Sequence, residues 1–396
     1  MICYDATHVK SPYKMQTIYD VAHFCVWNGY AQDMRGYYGV DCASLTNKEF
    51  LFPYGANVVY GRERKTRIQC ICENMYIDES YNPAVRIRQL LADGAKPDIK
   101  DVNGKSALFV CCRDGWSRHL EIINILLDAG ADINQNSTAS GCTPLWVAAR
   151  NRNIDIVKEL IRRGADVNLP NNDGMTPIRS AVYHGHVNVI KELIAAGAVI
   201  TGDAFIDAIK NGQPASLKYL LGQGYPIPAN AIYMAVYQNR PSLIRMLAKA
   251  GADMNVDFPI HNAITLNEMD CLLELCKNGS NVNLIDDDGS LPLKSAITLG
   301  RDKAVKILCD YKANVNAMTN GVPILHFQIT MINLYPEEKV QAMASLMTLL
   351  QACDNFNRLA DYAYARGMSD VVILIKRAEL KHNTNMIKKK CGVSRK

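Results

Sequence analysis

Cys42, in the run YYGVDCASL, has the setting closest to chemistry in this sequence of 396 residues. It follows Gly39 and Asp41 and precedes an apolar position. A thiol at a helix start has a lowered pKa and can act as a nucleophile, provided a base stands beside it. No histidine lies between Cys42 and His119, and His8 and His23 lie upstream. A structural role for Cys42 is therefore the first expectation, and catalysis by Cys42 the alternative. The pairs Cys70/Cys72, Cys111/Cys112 and Cys271/Cys276 lack zinc spacing with a second Cys or His pair. His186 sits in the run HGH, and no histidine has a second ligand at helical spacing. No metal and no cofactor are expected.

The elements that must position any site are better marked than the site. The thirteen cysteines are spread over the chain, many in apolar helical runs such as ALFVCC and CLLELC. Such usage fits a reducing, cytoplasmic compartment in which Cys is a small buried residue. The sequons at 136–138 and 278–280 would be idle there. No secretory signal and no run of eighteen apolar residues is expected from the N-terminus or elsewhere. The net charge of +5 is local: residues 381–396 hold six Lys or Arg and no acid, which leaves 38 basic against 39 acidic groups in the rest. A neutral body gives no reason to expect nucleic-acid binding. The tail reads as a solvated end, with nuclear import as its alternative.

One phrase recurs: a leucine-rich helical run, then Gly, then an apolar residue and a turn. It carries Gly94, Gly130, Gly164, Gly197, Gly224, Gly251 and Gly279, with Lys312 in the eighth place, at spacings of 36, 34, 33, 27, 27, 28 and 33. A second phrase alternates with it, as SALFVCC, TPLWVAA, TPIRSAV and LPLKSAI. The unit 173–198 contains both. Asp173-Gly174 is a turn signal. Thr176 and Pro177 suit the cap and first position of a helix running to about His184. Gly185 ends it. Val187, Ile190, Leu193 and Ile194 form the apolar face of a second helix closed by Gly197.

These linked phrases resemble the ankyrin repeat over residues 64–380. The resemblance implies an all-α repeat solenoid of L-shaped units, each a turn and two antiparallel helices, stacked because none can bury its own apolar faces. About nine helix pairs and a terminal pair at 358–380 are expected, with insertions inside the units at 66–91 and 323–350. Four segments follow: a non-repeat extension over 1–63, an array over 64–352 with three shortened units around 198–279, a capping pair over 353–380 and a basic flexible tail over 381–396. The extension is rich in Tyr, and KEFLFPYGANVVYG has strand composition, so a small α+β cap packed on the first repeat is expected. His261 and His326 match the family's Thr-Pro-Leu-His position, where the imidazole is expected to bond between adjacent turns. Asn134, Asn168, Asn255, Asn283 and Asn316 each follow a Leu by eight positions. They are read as bonding their own turn, and the resemblance makes them possible targets of a 2-oxoglutarate-dependent hydroxylase.

The resemblance also implies where a partner would sit: at the finger tips and the exposed positions that close each first helix. Those positions are Glu73/Asn74, Arg113/Asp114, Arg150/Asn151, Tyr183/His184, Lys210/Asn211, Tyr237/Gln238, Thr265/Leu266 and Thr298/Leu299. Arg and Tyr are frequent interface anchors. The candidate partner-binding set is Arg113, Asp114, Arg150, Asn151, Met175, Tyr183, His184, Lys210, Asn211, Tyr237 and Gln238. The function expected is a non-enzymatic scaffold, monomeric, for a protein or peptide partner. Two alternatives stand beside it. One is a secreted effector of an intracellular bacterium acting in the host cytosol. The other uses DCASL, which is similar to the nucleophile run of papain-like and cell-wall-type cysteine hydrolases. Those need a His downstream in the same domain, and His119 falls in the repeats. The shortened units pose a further question, whether they form a notch for the partner or reflect drift.

Overall fold

The computed structural model describes residues 59–60, 65–73, 82–115, 119–319, 321–335, 337, 339–356 and 358–390. Cys42, Asn74 and nearly all of the non-repeat extension lie outside them. Ten helix pairs follow one another among the described residues, from Arg67–Glu73 and Pro83–Ala92 to Leu359–Tyr364 and Ser369–Lys390. The strands are two-residue pieces: Val59–Tyr60 pairs antiparallel with Lys65–Thr66, and Met318–Thr319 with Val322–Pro323. The chain divides into two compact units, residues 1–199 and 200–396, each with its own helix stack.

The local code for a pair is physical. Pro stands at the start of the first helix in Pro144–Arg150 and Pro177–Tyr183, where its missing N–H costs nothing. Thr143 Oγ1 accepts from Trp146 N at 3.1 Å and Ser106 Oγ from Phe109 N at 3.3 Å, so each caps its helix. Thr176 holds the same extended cap backbone, but its hydroxyl is buried and makes no such bond. The second helix ends in a Schellman pattern. Ala165 N donates to Leu160 O at 2.9 Å and Gly164 N to Ile161 O at 3.0 Å, and Gly164 adopts φ +88°. Lys312, in the place of the eighth glycine, takes φ +66° and makes the same closure, with Ala313 N on Leu308 O at 2.9 Å.

The apolar stripes face inward. Leu126, Leu160 and Leu193 in the first unit, and Leu220, Leu247, Leu275 and Leu308 in the second, are fully buried. Truncating any of them to Ala would cost about 2–5 kcal/mol. Ion pairs run along the outer helices: Lys158 Nζ lies 3.6 Å from Glu192, Arg88 reaches Glu121 at 3.0 Å, and Arg163 meets Asp128.

The turns between pairs come in two lengths. In the long ones a hairpin projects. At 167–176, Asn171 N donates to Met175 O and Asn171 Oδ1 accepts from Asp173 N and Met175 N at 3.1 and 2.8 Å. Asp101 and Asp286 build the same turn in 98–106 and 281–291. The short connections, 196–201, 223–230 and 250–258, run almost directly from helix to helix. The last helix continues to Lys390, past the end at 380 expected from the sequence. Residues 381–390 contain no Gly or Pro to stop it, and Thr384 Oγ1 bonds back to Leu380 O at 2.7 Å.

Candidate functional site

The residues that close the first helices form the candidate surface, and the two members of each pair behave differently. The first member points outward: Arg150, Tyr183, Lys210, Tyr237, Thr265 and Thr298 are exposed. The second is the helix C-cap, as Asn151, His184, Asn211, Gln238, Leu266 and Leu299 show. Several side chains of the candidate set also make bonds within the array. Asn151 Nδ2 donates to Arg113 O at 2.6 Å, one repeat back. Asn211 Nδ2 bonds Asp207 O in its own helix at 2.9 Å. Met175 is half-buried and packs against Phe109, Cys142, Trp146 and Val147, while its carbonyl accepts from Trp146 Nε1 at 2.9 Å. Each of the three thus also has an intramolecular role, Asn151 while remaining exposed.

In the first unit, Arg113 and Arg150 differ sharply. Arg113 is held by Asp114, at 2.6 and 3.0 Å, and lies 3.6 Å from Glu73. With Lys65, Asp101, Asn103 and Lys105 these groups line an open, mostly polar depression of about 360 Å³. The charges there cancel: three cations and three carboxylates share it. Arg150 has no carboxylate within ion-pair distance among the described residues. Its guanidinium carbon instead sits 5.7 Å from the centroid of the Trp146 ring, a cation–π approach. His186 Nε2 lies 2.9 Å from Arg150 O. The His184 and His186 rings stack at 5.8 Å, and Tyr183 meets His184 edge-on at 4.9 Å. Burial, with the positive Arg150 and then His186, lowers the pKa of His184.

In the second unit Tyr237 is the exposed member, with 56% of its surface open, and it stacks on Tyr233 at 6.1 Å. The helix ends that follow it expose Leu266 and Leu299. Lys210 is exposed and Gln238 half-buried in the same unit.

The histidines and asparagines divide between expectation and surprise. His261 Nε2 meets Leu284 O at 2.9 Å and Nδ1 stands 3.2 Å from Asp286, so it does bond to the next turn. His326 does not: its ring lies edge-on to Tyr362 at 4.4 Å and its buried Nδ1 is unpartnered. His119 is wholly buried, with Nε2 3.0 Å from Cys72 O, and burial lowers its pKa. The turn asparagines reach beyond their own turns. Asn134 Oδ1 accepts from Asp166 N at 3.0 Å, Asn255 from Asn281 N at 2.8 Å and Asn283 from Asn314 N at 2.8 Å. Each joins one repeat to the next. A bond of this kind has no local sequence signal, because its partner stands a repeat away.

Among the described residues no group of three or more His, Cys, Asp or Glu is arranged to hold a metal, and no helix is long and apolar enough to cross a membrane. The family model for ankyrin repeats (3 copies) matches residues 75–171, 116–203, 146–231 and 232–319, well over half of the chain. Similar proteins include an ankyrin repeat and KH domain-containing protein of Caenorhabditis briggsae, 27% identical over 49% of this chain and 6% of its own length. An ankyrin repeat protein of fowlpox virus is 28% identical over 43% of this chain and 26% of its own. One from variola virus is 37% identical over 24% and 16%. The chain thus matches about a quarter or less of the length of each. The solved human ASB11 ankyrin repeat domain aligns with 53% of this chain and 99% of its own, at 21% identity and a TM-score of 0.46. With two alternating phrases, paired helices and a family match across most of the array, this chain belongs to the ankyrin repeat family.

Proposed function

We propose that this protein is a non-enzymatic interaction scaffold that holds a protein or peptide partner on the face formed by its first-helix ends. The observation that carries the reading is the exposed pair Arg150 and Tyr183, on consecutive repeats of the first unit. Neither side chain makes a hydrogen bond or ion pair among the described residues. Arg150 lacks a carboxylate partner among the described residues, and Tyr183 is 38% exposed at a position where an apolar surface gains most from being covered. Affinity capture with the full chain and an Arg150→Ala/Tyr183→Ala variant tests it. The variant should lose the partner while its melting temperature stays within a degree or two of wild type. Equal capture by both would place the interaction on another face.

A second location for the same function is favoured by Tyr237, the more exposed of the two ladder tyrosines. The connections on either side of its helix pair, 223–230 and 250–258, carry no projecting hairpin. They leave the Tyr237 ring open to a partner of some bulk. Tyr237→Ala in the same capture experiment separates the two locations.

A further inference from the structure

We infer that the surface around Arg150 and Tyr183 takes an acidic peptide segment, one that carries Asp or Glu side chains next to an apolar residue. The inference rests on reading this face as the binding surface and adds the chemistry of what binds there. Arg150 is its central cation. Several other arginines are neutralised, Arg113 by Asp114, Arg88 by Glu121 and Arg245 by Glu274. Arg150, by contrast, is exposed, sits over Trp146 and has no acid in ion-pair distance among the described residues.

The groups around it are also basic. His184 and His186 stack 5.8 Å apart, and His186 bonds the Arg150 carbonyl. The charges that act on His184 are Arg150, from the helix Pro144–Arg150, and His186, from the turn before Val187–Ala195. One helix further back, Arg113 and Asp114 cancel each other. Arg150 is thus a fixed positive charge with two imidazoles and no acid beside it among the described residues, and such a site attracts a partner of the other sign. The apolar part is Tyr183, beside the patch, and the Trp146–Met175 contact leading toward the finger. A carboxylate would dock on Arg150 while a neighbouring apolar side chain covers the Tyr183 ring.

Proton linkage follows from this arrangement. In the free protein burial and the two basic neighbours lower the His184 pKa, so the ring is neutral at pH 7. A carboxylate placed beside it favours the charged form, so binding takes up a proton. Affinity therefore rises as the pH falls from about 7.5 toward 5.5, while Glu and Asp stay ionised.

Fluorescence anisotropy with the full chain and three labelled synthetic peptides tests this. The peptides share the same Leu and Tyr positions and differ only in carrying Glu, Gln or Lys between them. A single-stranded oligothymidylate serves as a fourth probe. The Glu peptide should bind about tenfold or more tighter than the Gln peptide, and the Lys peptide weakest. Arg150→Ala should cut Glu-peptide affinity about tenfold and Arg150→Lys restore most of it. His184→Gln should flatten the rise in Glu-peptide affinity toward pH 5.5, and a rise that persists unchanged would overturn its role in the linkage. A Gln or Lys peptide that binds tightest and is lost with Tyr183→Ala overturns the acidic partner and keeps the face. Oligothymidylate binding as tightly as the Glu peptide, in an Arg150-dependent way, overturns the peptide in favour of nucleic acid. Peptide binding that ignores the Arg150→Ala/Tyr183→Ala change overturns the face as well.

Discussion

Asn168 clamps the backbone at Val199: its Oδ1 accepts from Val199 N at 2.9 Å, and its Nδ2 donates to Gly197 O at 3.3 Å. One amide thus ties the end of its own repeat to the closing turn of the next. Asn168→Ala should destabilise the first unit by about 1–2 kcal/mol, the cost of two backbone groups losing a partner. Asn168→Asp keeps the acceptor and loses the donor, so it should fall between. Urea unfolding midpoints measure the order; an Ala variant as stable as wild type would contradict it.

Lys312 and Arg152 hold φ +66° and +63°, in the left-handed region that costs a residue with a Cβ about 1–2 kcal/mol. Both close helices in places where other repeats use glycine. Lys312→Gly and Arg152→Gly should each raise stability by about 0.5–1 kcal/mol, because relief of strain is partly offset by the entropy glycine loses on folding. A drop in the thermal midpoint for both would show that their side chains contribute more than the backbone loses.

Gly104 and Gly174 share the same backbone, φ +69° and +72°, and differ in surroundings. A Cβ on Gly104 would lie 1.9 Å from Thr138 Oγ1 and 2.3 Å from Thr138 N, whereas one on Gly174 meets nothing within 4 Å. Gly174→Ala should cost about 1 kcal/mol, from strain alone. Gly104→Ala adds an overpacking term of about 1–3 kcal/mol, since backbone must move. Calorimetry on the pair isolates finger-to-finger contact from turn strain. Equal losses would mean the fingers part easily.

Acid should unfold the protein in two stages. His119, His184 and His326 all have lowered pKa values, chiefly through burial, from the ordinary 6.5. Below that value the unfolded chain binds more protons than the folded one, so stability declines as the pH drops from about 7 toward 5. Glu274 acts lower down. Arg245, bidentate at 2.8 and 3.0 Å, and Lys277 at 3.2 Å hold it at about 2 against an ordinary 4.5. Its contribution is complete above 4.5 and lost as the pH falls toward 2. Melting temperatures across this range should show both declines. Glu274→Gln should remove part of the second and leave the first.

The architecture was legible because its signals are local and repeated. Pro177, Gly185 and Gly197 each act within a few residues of themselves, and the leucines eight positions before the turn asparagines are buried as their spacing requires. The site was legible only in outline. The closing pair of each first helix is findable from the repeat register, but which member is free depends on partners a repeat away. Asn151 is bound to Arg113 O, and Arg113 to Asp114 and Glu73. His326 fails its family role because Tyr362, from the following pair, takes the ring instead. That no acid among the described residues pairs with Arg150 is equally invisible in one dimension.

The buried thiols turn the array into its own recorder. Cys70, Cys72, Cys111, Cys112 and Cys142 mark the start of the first unit, and Cys271, Cys276 and Cys353 the later repeats of the second. Burial pushes Cys70, Cys271 and Cys276 up to about 12, so in the closed state they present neither access nor thiolate to a reagent. Each is modified only when its own repeat opens. The rate at which a disulfide reagent labels each position is then a clock for that repeat, read by mass spectrometry on the unaltered protein. A partner seated on a given stretch of the array would stop the clocks beneath it.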